Sequence, residues 1–151
     1  MIFCTLGNVF HCDPSYSLAH SISSDAKMSK GIAVQFLSRF PVLASLRQME
    51  NQVGTAVAVC TDRKFIYNLV SKPRYWMKPD VKTLRQCLQS MYRHALQNGV
   101  KNISMPKIGS GCDKLKFEYD VMPILNDIFW GADVSIHVYY CDFVPRYVLT
   151  I

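Results

Sequence analysis

The chain has 151 residues, half of them hydrophobic and 19% charged, a balance that suits one globular domain burying about two-thirds of its unfolded surface. Its apolar runs fall well short of the ~20 residues a membrane-spanning helix requires, so no transmembrane helix and no membrane partner are predicted. The net charge of +6, from 17 Lys and Arg against 11 Asp and Glu, favours polyanionic ligands. The cations are scattered, without the dense run that would by itself point to nucleic acid.

The N-terminal stretch Met1–Phe10 has no basic flank and no small-residue cleavage site, and it reads as a first strand. Cys12-Asp13-Pro14-Ser15 is a turn, and a second strand follows over Tyr16–Ser23. The small-residue loop Ser24–Gly31 leads into a helix over Ile32–Phe40 and is a candidate phosphate loop. Pro41, well suited to a first turn, opens another helix reaching about Met49. Thr55–Cys60 and Lys64–Ser71 flank Thr61-Asp62-Arg63 as a β-hairpin whose second arm delivers Lys72 to its end. A loop rich in cations and aromatics, Lys72–Pro79, comes next.

Asp80 caps a long helix with the apolar stripe Val81, Leu84, Leu88, Met91 and Ala95, and Gly99 stops it. Asn102–Met105 is a short buried strand. A helix over Asp120–Phe129 tolerates Pro123 only in its first turn, and Asp133–Tyr140 is the last strand. Six strands interleaved with helices predict an α/β sandwich around a mixed sheet.

Six cysteines are dispersed without a Cys-x-x-Cys pair, which suits reduced thiols in a reducing compartment. His11, Cys12 and His20 lack the tight spacing of a zinc site, so no metal or other cofactor is expected.

Between the fifth strand and the helix that follows lies Pro106-Lys107-Ile108-Gly109-Ser110-Gly111-Cys112-Asp113. Two glycines two apart allow positive φ and let backbone N–H groups converge on an anion. The loop lacks the Gly-Lys-Ser/Thr of a Walker motif and the third glycine of a dinucleotide fingerprint. Taken alone, such a turn is often only a connection with Asp113 as a helix-start cap.

Five motifs taken in order resemble a macro domain: Gly7-Asn8-Val9-Phe10, Ser17–Ser23, Met28–Ala33, Leu69-Val70-Ser71-Lys72 and Met105–Asp113. More narrowly, they look like the terminal ADP-ribose protein glycohydrolase branch, also described as ADP-ribose glycohydrolase and O-acetyl-ADP-ribose deacetylase. The resemblance implies a three-layer α/β/α macro domain with a six-stranded mixed sheet over residues 1–141, and ADP-ribose in a cleft at the strand ends. Residues 142–151 form a C-terminal extension of unassigned role.

By the same resemblance, Val9 and Ser23 lie near the adenosine side, Lys107, Ile108, Gly109, Ser110, Gly111, Cys112 and Asp113 surround the phosphates and distal ribose, and Cys141 closes the last strand. The catalytic lysine falls on Lys72 and the catalytic aspartate on Asp113. Ser29-Lys30 stands where the branch usually carries a smaller Gly-Ala pair, which alters the first phosphate loop.

The implied chemistry is attack by an amine on the distal ribose, expelling the carboxylate of a modified glutamate or aspartate, with the aspartate helping to resolve the lysyl adduct. A lysine amine is mostly protonated at neutral pH, so the site must free it, and Arg74 and Lys107 are cations placed to contribute. Trp76, Tyr75, Phe117 and Tyr119 could stack on adenine, with core packing the commoner role for such residues. Expected partners are ADP-ribose and ADP-ribosylated proteins, with poly(ADP-ribose) or nucleic acid as further polyanions for the basic surface. A monomer in nucleus or cytoplasm is expected. The alternative is a non-catalytic ADP-ribose or poly(ADP-ribose) reader, which would need only the glycine loop and Ser23.

Overall fold

The computed structural model describes residues 1–109 and 115–140. Six strands form one sheet: β1 (Ile2–Leu6), β2 (Ser17–Ser23), β3 (Ala56–Thr61), β4 (Lys64–Lys72), β5 (Asn102–Pro106) and β6 (Ser135–Tyr140). Their order is β1-β6-β5-β2-β4-β3, parallel at every pairing except β3–β4. Among the described residues, three α-helices accompany them: α1 (Ile32–Arg39), α2 (Val81–Gln97) and α3 (Met122–Phe129).

Period-two alternation divides each central strand between two cores. In β4, Tyr67 and Leu69 pack with Leu84, Leu88 and Met91 of α2 and with Ile124, Leu125 and Phe129 of α3. Ile66 and Val70 point the other way, joining Leu18 and Ile22 of β2, Phe36 of α1, and Leu43 and Leu46. Helical layers on both faces of a six-stranded mixed sheet give the expected α/β/α sandwich. Leu84, Leu88 and Met91 are at most 1% exposed, and burying each such side chain stabilises the fold by about 1.5–3 kcal/mol.

Local chemistry fixes the element ends. Asp80 accepts the N–H of Lys82 at 3.0 Å as the N-cap of α2, and Gly99, at φ 68°, follows its C-terminus. Asp62 and Arg63 both take positive φ, and Thr61 pairs with Lys64, so the hairpin turn has two residues and Thr61 belongs to β3. Pro123 sits in the first turn of α3, where its missing N–H costs nothing. A π-helical turn over Phe117–Val121 precedes it.

Two further expectations from the sequence change. The first strand ends at Leu6, because Asn8 accepts the Phe10 N–H at 2.9 Å and turns the chain into a 3-10 helix over Val9–His11. The element opened by Pro41 is a 3-10 helix over Pro41–Gln48, not an α-helix. Three residues per turn stack Leu43 on Leu46, both fully buried.

Candidate active site

Because β1, β2, β4, β5 and β6 run parallel, their C-terminal ends arrive at one edge of the sheet, where ligands of open α/β folds bind. A cleft of about 530 Å³ opens there, within the size range of small-molecule sites. Gly7, Ser23, Lys72, Pro106 and Tyr140 line it, Gly7 just past the end of β1 and the others the last residues of β2, β4, β5 and β6.

The floor is set by an irregularity between β2 and β4. Ile22 pairs with Val70, but Ser23 pairs with Lys72, so β4 carries one extra residue, Ser71. Ser71 is buried and its hydroxyl meets that of Ser21 at 2.5 Å. The Ser24 N–H donates to the Lys72 carbonyl at 2.8 Å. These bonds fix the backbone that carries Lys72 into the cleft.

One wall is the segment Met28–Ala33. Gly31 takes φ 63° and ψ −147°, and α1 starts directly after it without a side-chain cap. The first-turn N–H groups and the positive end of the helix are therefore available to an anion. Behind this wall the chain is strained: Ala26 and Met28 take φ 51° and 47°. Arg47 holds the strained segment by donating to the carbonyls of Ala26 at 3.1 Å and Lys27 at 2.9 Å. Asn51 donates to the Ser24 carbonyl at 3.0 Å and accepts the Ser24 hydroxyl on its own carbonyl.

Across the cleft lie Pro106–Gly109 and the end of β6. Gly109 has φ 81°, and its carbonyl accepts the N–H of Leu115 at 2.6 Å. A Cβ at Gly109 would stand 2.9 Å from Leu115 Cδ1, so a side chain there would have to push the Leu115 side chain aside. Lys107 pairs with Glu118 at 2.8 Å, bridging the neck of this loop, with its ammonium 4.9 Å from the Tyr140 ring. The hydrogen bond from Lys107 holds the Glu118 carboxyl below its ordinary range, and Glu118 in turn raises Lys107. Three lysines, Lys30, Lys72 and Lys107, and no acid line the cleft among the described residues, which suits a diphosphate.

The described members of the site set read from sequence lie together. Val9 and Ile108 are buried walls, 3% exposed each, and Ser23, Lys72, Lys107 and Gly109 line the same cleft. The Ser23 hydroxyl donates to Asp25. Ser110, Gly111, Cys112, Asp113 and Cys141 lie outside the described residues, as does the 142–151 extension.

The aromatic candidates separate. Tyr75 lines the cleft, Phe117 is core at 2% exposure, and Trp76 and Tyr119 are exposed at 69% and 80%. His20 is fully buried, stacked on Phe36 with centroids 4.0 Å apart and bonded through Nε2 to Asn68 Oδ1 at 2.6 Å. Sequence reasoning missed Asn8, Gln35 and Tyr139 as cleft walls. Asn8 stands in the motif Gly7-Asn8-Val9-Phe10, and the position of Tyr139 at the end of a parallel strand could have signalled its place.

A sheet with this order, helices on both faces and a basic cleft at the strand ends define an α/β domain with a cleft suited to an anionic ligand. The family described as Macro domain matches residues 19–122, and the chain belongs to it. It is similar to the ADP-ribose glycohydrolase OARD1 of Homo sapiens and of Bos taurus. Each is 38% identical over 133 residues, covering 88% of this chain and 87% of the relative. Among solved structures, the macrodomain of Mycobacterium tuberculosis DarG superposes with a TM-score of 0.85 at 24% identity, over 92% of this chain and 97% of that one. Thermosipho africanus DarTG in complex with ADP-ribose gives 0.79 at 17% identity, over 97% of this chain and 44% of that one. These structural likenesses concern the fold.

Proposed function

We propose that the protein is an ADP-ribose-binding hydrolase that removes ADP-ribose from acidic side chains of proteins and deacetylates O-acetyl-ADP-ribose. The observation that carries this reading is the entry of Lys72 into the cleft at the end of β4, opposite Ser23 and beside the start of α1. The 38% identity to relatives named ADP-ribose glycohydrolase supports it.

In this mechanism the diphosphate lies between the first turn of α1 and the Lys107–Gly109 turn, with Val9 and Ser23 towards the adenosine. The neutral Lys72 amine attacks the anomeric carbon of the distal ribose. As the C–N bond forms, the bond from that carbon to the ester oxygen breaks and the carboxylate of the modified residue leaves with the electron pair. Asp113 takes the proton released from nitrogen and later activates the water that frees the lysine. An acetyl ester at the same carbon would leave as acetate by the same step. Lys107 lines the opposite side of the cleft, paired with Glu118, and Arg74 is exposed two residues beyond Lys72.

A reader module would require the cleft but no amine in it, and the position of Lys72 favours the enzyme. We further place the protein, as a monomer, in the reducing interior of the cell. Cys4, Cys12, Cys60 and Cys87 carry free thiols, and burial pushes that of Cys87 up to about 12, which suits a packing role. Incubation with a protein ADP-ribosylated on glutamate should release free ADP-ribose, and Lys72→Ala should release none. Normal turnover by Lys72→Ala would overturn the lysine-dependent reading.

A further inference from the structure

The turn that leaves β4 has a composition the cleft does not explain. Residues 72–79 contain Lys72, Arg74 and Lys78 and no acid. Tyr75, Trp76 and Met77 are 40%, 69% and 37% exposed, a run of three large apolar side chains left to solvent. Isolated exposed hydrophobics are ordinary, but a contiguous group marks an interaction surface.

The turn is built rather than loose. The Met77 N–H donates to the Arg74 carbonyl at 3.1 Å, and the Lys27 ammonium lies 4.2 Å over the Tyr75 ring. Asp80, the next acid, is committed to capping α2. Tyr75 is at once a wall of the cleft and the root of this exposed group. The surface is therefore continuous with the end of the cleft that holds Lys72.

We propose that the turn Arg74–Lys78 docks the polypeptide on either side of the modified carboxylate and selects acid-rich sequences. The inference rests on the function proposed above. If Lys72 attacks the distal ribose, the departing carboxylate and its chain would leave by the end of the cleft that holds Lys72, where Tyr75 joins this turn to the lining. An exposed indole between Arg74 and Lys78 offers one apolar platform and two cations, suited to a short acidic peptide. A single-stranded nucleic acid would call for several stacking platforms along a longer basic groove.

The test compares three substrates: a peptide with one ADP-ribosylated glutamate flanked by Asp and Glu, the same peptide flanked by Gly and Ser, and O-acetyl-ADP-ribose. The expected preference of the wild-type protein for the acidic peptide is about ten-fold in kcat/KM at low salt, shrinking as salt is added. Trp76→Ala with Lys78→Glu should erase that preference while O-acetyl-ADP-ribose turnover stays at the wild-type rate. Equal efficiency of the wild-type protein on the two peptides would overturn the inference and leave the hydrolase reading intact. Absence of turnover on all three substrates would overturn both. Stronger competition by a short single-stranded oligonucleotide than by an unmodified acidic peptide would assign the turn to nucleic acid instead.

Discussion

The Ser24 N–H donates to the Lys72 carbonyl at 2.8 Å, tying the residue that leaves β2 to the last residue of β4. The bond uses only the backbone of Lys72, so replacing the side chain leaves it in place. Lys72→Ala should therefore fold normally and bind ADP-ribose within a few-fold of the wild-type affinity. Its turnover of an ADP-ribosyl-glutamate substrate should fall by at least about a thousand-fold, the scale for losing a nucleophile. Lys72→Arg should be as inactive, since a guanidinium keeps the charge without the nucleophilic amine. Thermal unfolding, calorimetry and release of ADP-ribose check the three parts.

Asp113→Ala should stall after attack rather than before it. Mass spectrometry of that variant after exposure to substrate should find one ADP-ribose unit on Lys72, and the Lys72→Ala/Asp113→Ala protein should carry none.

Gly109→Val combines two penalties. Its backbone takes φ 81°, and a Cβ would meet Leu115 Cδ1 at 2.9 Å and Leu115 Cβ at 3.2 Å. Positive φ costs a β-branched residue about 1–3 kcal/mol, and the displaced Leu115 would loosen the bond from its N–H to the Gly109 carbonyl. ADP-ribose binding measured by calorimetry should drop by more than ten-fold, with a lowered but still cooperative melting transition. Unchanged affinity in the folded variant would mean that the neck of this loop has no part in holding the ligand.

His20 contributes one part of the pH dependence. Burial pushes its pKa down from 6.5 to about 4, and the hydrogen bond with Asn68 offsets only part of that shift. A base with a depressed folded-state pKa is neutral in both states above pH 6.5. As the pH falls from there towards 4, the unfolded chain takes up a proton that the folded chain refuses. Stability is thus full at neutral pH and is lost through this window, by about 3 kcal/mol for this one group. Urea unfolding at pH 7 and pH 4.5 should show a smaller drop for His20→Gln than for the wild-type protein. Equal drops would remove His20 from the account.

Much of this molecule is legible along the chain because its signals are local. The Asp80 cap, the stripe ending at Ala95 and the stop at Gly99 announce α2 without reference to any other segment. The 3-10 helix over Pro41–Gln48 is misread because Leu43 and Leu46, three apart, satisfy both helical periods, and only packing under β4 decides between them. The cleft walls divide similarly. Gly31, Lys72 and Gly109 stand out by residue type at element ends, whereas Tyr75 and Tyr139 look like ordinary aromatic packing until the parallel strands bring them to one edge.

Arg47 has no place in the sequence motifs, yet it supports the wall that faces the ligand. Its Nε and Nη2 donate to the carbonyls of Ala26 and Lys27, next to Met28, and both Ala26 and Met28 hold positive φ. Such conformations cost of order 1–3 kcal/mol each and persist only where the surroundings enforce them. Arg47→Ala removes both donors and leaves the segment to Asn51, through the Ser24 carbonyl, to the Ala26 N–H bond with the Ser23 carbonyl and to Lys27 over Tyr75. The segment Met28–Gly31 should then sample relaxed backbone states that no longer shape the start of α1 for a diphosphate. ADP-ribose affinity should fall about ten-fold, because each binding event must first restore the strained wall. The melting temperature should move by only a few degrees, since Arg47 is exposed and the core beneath it is unchanged. Arg47→Lys offers one donor group in place of a two-donor fork and should fall between the two. Calorimetry with ADP-ribose, alongside thermal unfolding of the same samples, separates loss of the wall from loss of the fold; an Arg47→Ala protein with wild-type affinity would show that the strained segment holds its shape without this side chain.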